Sequence, residues 1–241
     1  MGALGGLGAL GGLGGVMGAE FLPIDVSNLV LWLRADGISG LSDGSLVVTW
    51  PDESGNANNF TAVTETNRPT FQTNEQRGFP IVRFDGTDNY LFNALLDIVQ
   101  PFTVFAVVKA DNTTTGYEIF IDTHTTASGV VFFGYSGNDN LGHIAAGTAS
   151  DRGTITKENW NVFECVFDGL SSDFGVNGTL TTAFAAGDND LDGVRIGGDR
   201  DAVNFLNGDV AEIIIYSVEI TSAAKTNVRN YLGAKWGVTI A

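Results

Sequence analysis

From Phe21 onward, short runs of β-branched and aromatic residues alternate with turns rich in Gly, Asn, Asp and Ser. Such runs predict strands, and many short strands at this spacing are typical of an all-β antiparallel sandwich or jelly roll. The dipeptides Asp85-Gly86, Asn177-Gly178 and Asn207-Gly208 indicate hairpin or bulge positions. The predicted strands lie in the segments LVLWLRA, SLVVTW, PIVRFDG, FTVFAVVKA, YEIFIDT, GVVFFGY, NVFECVFDG, DFGVNG, GVRIGG and DVAEIIIYS.

One short helix is predicted near the C-terminal end, over Ser222 to Gly233. Thr221 is a favourable N-cap, and Gly233 is a residue type that ends helices. The side chains expected to dock this helix on the sheet are Val228, Tyr231 and Leu232. Since no Pro- or Ser-rich linker divides the body, we expect one domain over residues 21–241, preceded by an arm over residues 1–20.

The arm has a different pattern. After Met1 come five triplets, GAL-GGL-GAL-GGL-GGV, with no charge before Glu20. A period of three fits neither a helix nor a strand but suits an extended, polyproline-II-like chain. The lack of basic residues argues against a signal peptide, and the glycine content argues against a membrane helix. We expect the arm to be ordered by contacts with the arms of other copies or with a larger assembly. The alternative is a flexible low-complexity linker. Its apolar stripe is Leu4, Leu7, Leu10, Leu13 and Val16.

The charge balance excludes some partners. The chain has 12 basic and 28 acidic residues, for a net charge of −16. Direct nucleic-acid binding is therefore not expected, because nothing offsets the repulsion by phosphate. The single cysteine, Cys165, cannot form an intrachain disulfide. We expect Cys165 to be buried on one strand face with Phe163 and Phe167.

Five segments, in this order, resemble the laminin-G-like, concanavalin A-like jelly-roll family, of the kind found in bacteriophage virion proteins. The resemblance covers roughly residues 28–237 and implies that Trp32, Trp50, Trp160 and Trp236 lie in the core. Proteins of this fold include lectins, glycosidases, adhesion modules and virion proteins, so the fold alone does not define function. The segments are LVLWLRADG, VTWPDESGNANNF, RPTF with PIVRFDGTDNYL, NWNVFECVFDG with DFGVNG, and FLNGDVAEIIIYSVEIT.

The acidic residues do not predict catalysis. A glycosidase needs two carboxylates across a groove, which the enzymes of this family carry as alternating acids on one strand. No strand here has that pattern, since Glu164 and Glu212 each stand alone. We interpret both as solvent-facing or strand-edge residues and expect no catalytic residue.

Two kinds of ligand site remain open. Calcium is the one cofactor left as an alternative, with Asp52, Asp85 and Asp88 in oxygen-rich turns. Such residues also stabilise turns through Asx hydrogen bonds. The acidic runs at 187–193 and 197–201 are a second cluster, or else solvated loops. For stacking on a carbohydrate, the candidates are the loop-proximal aromatic residues Tyr117, Tyr135 and Phe205.

These observations favour a non-enzymatic virion structural protein, either a capsid decoration or cement protein or a fibre or spike subunit. We expect the arm to anchor or oligomerise it, most simply as a homotrimer, with capsid or other virion proteins as partners and host-surface glycans as a further contact. Neither nucleic-acid binding nor membrane insertion is expected. The location would be the virion, or otherwise extracellular. The alternative function is a free, lectin-like carbohydrate-binding module.

Overall fold

The structure, a computed structural model, describes residues 20–111, 116–125, 131–136 and 141–241, with backbone only at 131–133 and 136. The predicted arm stripe, residues 4–16, lies outside the described residues. Two 3-10 turns span Pro23–Asp25 and Ala35–Gly37. The strands are β1 (Leu29–Arg34), β2 (Thr49–Trp50), β3 (Phe60–Thr61), β4 (Thr70–Gln76), β5 (Phe79–Asp85), β6 (Leu91–Asn93), β7 (Phe102–Ala110), β8 (Glu118–Thr123), β9 (Val131–Ser136), β10 (Leu141–Ala146), β11 (Ser150–Thr154), β12 (Asn161–Phe167), β13 (Asp173–Val176), β14 (Thr179–Leu180), β15 (Val194–Ile196) and β16 (Asn207–Tyr216).

The strands form two antiparallel sheets, which confirms the predicted β-sandwich. The first sheet has the order β14-β13-β12-β7-β16-β5-β4, and β1 also pairs with β16. The second has the order β11-β10-β9-β8-β15-β6-β3-β2. Apolar side chains from both sheets fill the space between them, and a second apolar cluster lies between the first sheet and the helix. The second sheet therefore has one face in the core and one face turned away from it.

The helix α1 spans Ser222–Trp236, three residues beyond the predicted end. The predicted N-cap is confirmed, because the Thr221 hydroxyl accepts a hydrogen bond from the Ala224 N–H at 3.2 Å. The predicted stop at Gly233 is wrong, and Gly237, with φ of 70°, ends the helix. A Cβ on Gly233 would lie 2.5 Å from Cγ1 of Ile240. Gly233 thus allows the C-terminal segment to pack closely against the helix.

Within the described residues, no helix has the length and apolar character that crossing a membrane requires. The helix is instead docked on the first sheet through buried side chains, as predicted. These side chains are Val228, Leu232 and Trp236, with Tyr231 partly buried beside them.

Of the dipeptides predicted to lie at hairpin or bulge positions, one forms a hairpin turn and another lies within a strand. Asn177-Gly178 connects β13 to β14, with positive φ at both residues, as a two-residue hairpin turn requires. Asn207-Gly208 is not a turn, because both residues lie in β16. A Cβ on Gly208 would lie 2.4 Å from the carbonyl oxygen of Lys109 on β7. Gly208 is therefore explained by the close approach of two central strands.

We expect Gly208→Ala to lower the free energy of unfolding by about 2 kcal/mol, because the added methyl group overlaps backbone atoms that must move. Gly116→Ala is the matched control, since a Cβ there meets no atom within 4 Å. Urea unfolding of both variants measures the difference. Equal stabilities would contradict this explanation of Gly208.

The predicted core aromatics are largely confirmed. Trp32, Trp50 and Trp236 are buried, whereas Trp160 is partly buried and stacks on Trp236 with ring centroids 6.5 Å apart. Cys165 shares a core face with Phe163 and Phe167, as expected. Burial raises the pKa of the Cys165 thiol well above its usual value, so the thiol is poorly reactive.

Candidate functional site

The outer face of the second sheet carries polar and charged side chains where a core face would be apolar. His143 on β10 lies opposite Gly134 on β9, which lies opposite Ile119 on β8. In the neighbouring row, Asp122 lies opposite Arg195 on β15. An irregularity between Ile119 and Ile121 places Ile119 and Asp122 on the same face. Residues distant in sequence thereby come together on one surface.

A cavity of about 240 Å³ opens on this face. Its wall includes Tyr117, whose ring lies 4.4 Å from the His143 ring, centroid to centroid. Tyr117 remains 44% exposed. The Nδ1 atom of His143 bonds to the carboxylate of Asp151 on β11, which fixes the orientation of the imidazole. The other wall is the loop after β15, through Asp199, Arg200, Asp201 and Asn204.

Asp199 holds this loop in place. Its carboxylate accepts hydrogen bonds from the Val203 N–H at 2.9 Å and from the Asn204 amide at 2.5 Å. Its carbonyl oxygen accepts a hydrogen bond from the guanidinium of Arg195 at 2.7 Å. The guanidinium also lies 4.1 Å from the centre of the Tyr90 ring. The cavity wall is therefore tied to the sheet beneath it.

Asp122 forms the acidic part of the cavity floor. Asp122 is 1% exposed, and its carboxylate accepts hydrogen bonds from the backbone N–H groups of Thr123 at 2.7 Å and Arg200 at 2.9 Å. Burial raises the pKa of Asp122 to about 7, although both hydrogen bonds oppose the shift. A carboxyl group whose charge changes near neutral pH thus lies directly under the loop.

The three predicted stacking residues have different positions. Tyr117 lies in the cavity, as a stacking residue must. Tyr135 was a wrong candidate, because it is fully buried and its ring meets Phe120 and Phe163 edge-on, with centroids 5.4 and 5.8 Å apart. Phe205 is half-buried over Gly198, next to the cavity loop but outside its lining.

His143, Asp151 and Asp122 were missed by the sequence analysis. Neither β10 nor β11 was predicted as a strand, since LGHIAA and SDRGT carry weak strand signals. The available signal was the polar His143 placed between Gly142 and the apolar Ile144.

The turn aspartates have structural partners. Both carboxylate oxygens of Asp52 accept hydrogen bonds, from the N–H groups of Trp32, Ser54 and Asn58 and from the Ser54 hydroxyl, at 2.7–2.9 Å. Asp85 accepts one from the Thr87 N–H at 2.9 Å. Asp88 lies 3.5 Å from the Asn89 amide. Among the described residues, no group of three or more His, Cys, Asp or Glu side chains could hold a metal ion.

The acidic runs are ordered rather than simply solvated. Asp190 accepts a hydrogen bond from the Gln100 N–H at 2.8 Å, and Asp192 accepts one from the Thr125 hydroxyl. Asp199 is 8% exposed, so the interpretation of residues 197–201 as a solvated loop is wrong there.

The expectation that Glu164 and Glu212 face solvent or a strand edge is also wrong. Both are buried in the first sheet, on the side where α1 docks. Glu164 pairs with Arg229 of the helix at 2.6 Å. Burial raises the pKa of Glu164, and the nearby Arg229 opposes that shift. The partners of these two acids lie largely on the helix, which follows both strands in the chain, so the strand sequences alone do not reveal them.

The two-sheet architecture agrees with a comparison of the sequence with known families. The family model Laminin_G_3, described as the concanavalin A-like lectin/glucanases superfamily, matches residues 84–224. The chain belongs to this family. No curated protein sequence matches the chain.

Solved structures share the fold at low sequence identity. A Trypanosoma rangeli sialidase has a TM-score of 0.62 at 14% identity, over 87% of this chain and 33% of that one. The chain thus spans about a third of the sialidase. Domain 4 of AbnA, a GH43 extracellular arabinanase from Geobacillus stearothermophilus solved with arabinotriose, has a TM-score of 0.59 at 15% identity, over 84% of this chain and 98% of that one. The binding domain of Paraclostridial Mosquitocidal Protein 1 has a TM-score of 0.59 at 14% identity, over 88% and 53%.

Proposed function

We propose that this domain binds glycans in the cavity on the outer face of its second sheet. The observation that carries the proposal is the exposed ring of Tyr117, packed on an oriented His143 and facing a loop of polar side chains. The apolar face of a sugar ring packs on an aromatic ring, while neighbouring polar groups bind its hydroxyls. The cavity volume suits one sugar ring, with the rest of a glycan extending outside.

The polar groups of the loop fit hydroxyl recognition. Arg200 and Asp201 are only loosely paired, with Nε and Oδ2 3.8 Å apart, and Asp201 is exposed. Both can therefore turn towards a ligand. Three carboxylates line the cavity with one arginine, in a chain whose net charge is −16. This balance favours a neutral glycan over an acidic one, because an anionic sugar would be repelled.

The family and the fold support the same class of function. Domain 4 of AbnA, which was solved with arabinotriose, shares the architecture across nearly its whole length. At 15% identity that likeness concerns the fold, so the glycan and the site are proposed from this chain's own residues.

Tyr117→Ala should weaken glycan binding about tenfold, equivalent to ~1.4 kcal/mol, because it removes the stacking surface. A glycan array probed with the full chain identifies a neutral oligosaccharide, and calorimetry measures its affinity for each variant. Tyr117→Phe, which keeps the ring, should bind within about twofold of the wild type.

Leu180→Ala is the matched surface control, since Leu180 is 48% exposed and lies on β14 of the other sheet. An array without any binder, or equal affinities for Tyr117→Ala and Leu180→Ala, would contradict the proposal.

We propose further that binding is not followed by bond cleavage. The two buried carboxylates of the cavity, Asp122 and Asp199, accept hydrogen bonds that order the loop, a structural use of both groups. Mass spectrometry of the bound oligosaccharide after prolonged incubation should recover it intact. Shortened products that form with the wild type but not with Asp122→Asn would show hydrolysis instead.

The triplet pattern of the arm supports a second function. We propose that residues 2–16 link the domain to other copies or to a larger particle, as in a virion decoration, fibre or spike protein. An uncharged, leucine-striped extended segment gains stability only by contacting other protein surfaces. Deleting residues 2–16 should abolish a homotrimer or incorporation into a particle while circular dichroism stays unchanged. If the full chain and the deletion variant form oligomers with the same number of copies, and are incorporated into particles equally, this proposal is overturned.

A further inference from the structure

A second and larger depression, of about 650 Å³, lies beside helix α1. We call it the helix groove. Its apolar lining is formed by Phe21, Phe79 and Tyr231, and Asn227 and Asn230 stand along its helical side. The groove is separate from the cavity of the second sheet, because it is built from the first sheet and the helix.

The described chain begins in the wall of this groove. Glu20, Phe21 and Leu22 all line it, and the Phe21 ring meets the Tyr231 ring edge-on with centroids 6.4 Å apart. Residues 1–19 therefore connect to the groove directly. Fifteen extended residues reach ~45 Å at about 3.1 Å each, far enough to lie along the groove or to enter the groove of an adjacent copy.

The chemistry of the groove suits a glycine-rich extended chain with apolar side chains. The aromatic lining can cover leucines, and the two asparagine amides can donate hydrogen bonds to backbone carbonyl groups. An extended backbone needs such donors because it makes no internal hydrogen bonds.

The charged side chains of the groove are close to balanced. Three basic and two acidic side chains line it, in contrast to the strong negative charge of the whole chain. These are Arg34, Arg77 and Lys235 with Glu20 and Asp36. Because residues 2–16 carry no charge, this balance neither favours nor opposes their docking.

We propose that the helix groove is the docking site of the arm, residues 2–16. This inference rests on the proposal that the arm acts through protein contacts, and it names the surface that receives the arm.

Cysteine cross-linking in the full chain tests the groove. Cysteine replaces Leu4, Leu7, Leu10 or Leu13 in turn, each combined with Asn230→Cys in the groove. The matched control combines the same arm variants with Ala149→Cys, an exposed site after β10 on the other sheet. The native Cys165 is buried and does not compete. We expect at least one arm position to form a disulfide with residue 230 ten times faster than with residue 149.

A cross-linked monomer would place the arm in its own groove and a cross-linked dimer in that of a neighbouring copy, and either supports the inference. Equal rates at residues 230 and 149 for all four arm positions would overturn it. The two proposals fail separately. If arm deletion abolishes assembly but no arm position prefers residue 230, assembly stands and the groove does not. If the arm cross-links preferentially to residue 230 only within monomers, and no assembly ever forms, the groove proposal stands and the assembly proposal fails.

Discussion

Replacing Glu212 with glutamine should lower the free energy of unfolding by about 3 kcal/mol. The reason is that four buried donors share the two carboxylate oxygens of Glu212, and glutamine keeps only one of these acceptor atoms. Glu212 is fully buried. Its Oε1 accepts hydrogen bonds from the indole of Trp32 at 2.6 Å and the hydroxyl of Tyr231 at 3.0 Å. Its Oε2 accepts from the indole of Trp236 and the ammonium of Lys235, both at 2.8 Å. In glutamine, one oxygen becomes an NH₂ group that faces two donors.

Urea unfolding at neutral pH measures this effect. The matched control is Glu219→Gln, because Glu219 is more exposed and, among the described residues, forms an ion pair only with Lys225, at 3.0 Å. We expect the control to change stability by less than about 1 kcal/mol. A Glu212→Gln variant as stable as its control would show that this hydrogen-bonded cluster does not join the helix to the sheet.

The second large effect is a loss of stability as the pH rises from 4 to 7. Burial raises the pKa of Asp122 to about 7, and the neighbouring Asp199 adds to the shift while Arg200 opposes it. Burial likewise raises the pKa of Glu118 to about 7, against the attraction of Lys157. In the unfolded chain such groups lose their protons near pH 4. The folded state therefore holds more protons across this window, and stability falls as the pH rises through it.

Asp122→Asn should remove about 2–4 kcal/mol of this pH dependence, because the amide does not titrate. Unfolding free energies at several pH values between 4 and 8 give the slope for each variant. Asp201→Asn is the control, since this carboxylate lines the same cavity but is exposed. If the free energy of unfolding falls with pH equally steeply in the wild type and in Asp122→Asn, Asp122 is not the source of this pH dependence.

The strands that build the core were predictable from sequence. The segments FTVFAVVKA, NVFECVFDG and DVAEIIIYS became β7, β12 and β16 because a strand buried on both faces is mostly apolar, even though β12 and β16 each carry a buried glutamate. The edge-side strands β4, β10 and β11 are polar or glycine-containing, so only pairing with a neighbour identifies them.

The site was predictable only in part: Tyr117 had been singled out as a stacking residue, and residues 197–201, which supply Asp199 and Asp201 to the cavity, as a candidate acidic cluster. His143 and Asp122 come together through the register of several strands and one irregularity, which no local pattern contains. Tyr135 was a wrong candidate because its position near a loop in the sequence suggested exposure, whereas its side chain lies on the face of β9 that is turned towards the core.

The most direct test of glycan binding on the outer sheet face is to map contacts by NMR, titrating the array-selected oligosaccharide into isotope-labelled full-length protein. We expect the largest amide shifts at Tyr117, His143 and residues 199–204, and we expect them to disappear in Tyr117→Ala. Shifts confined to helix α1 and the first sheet, or saturable binding with no shift around the cavity, would contradict it.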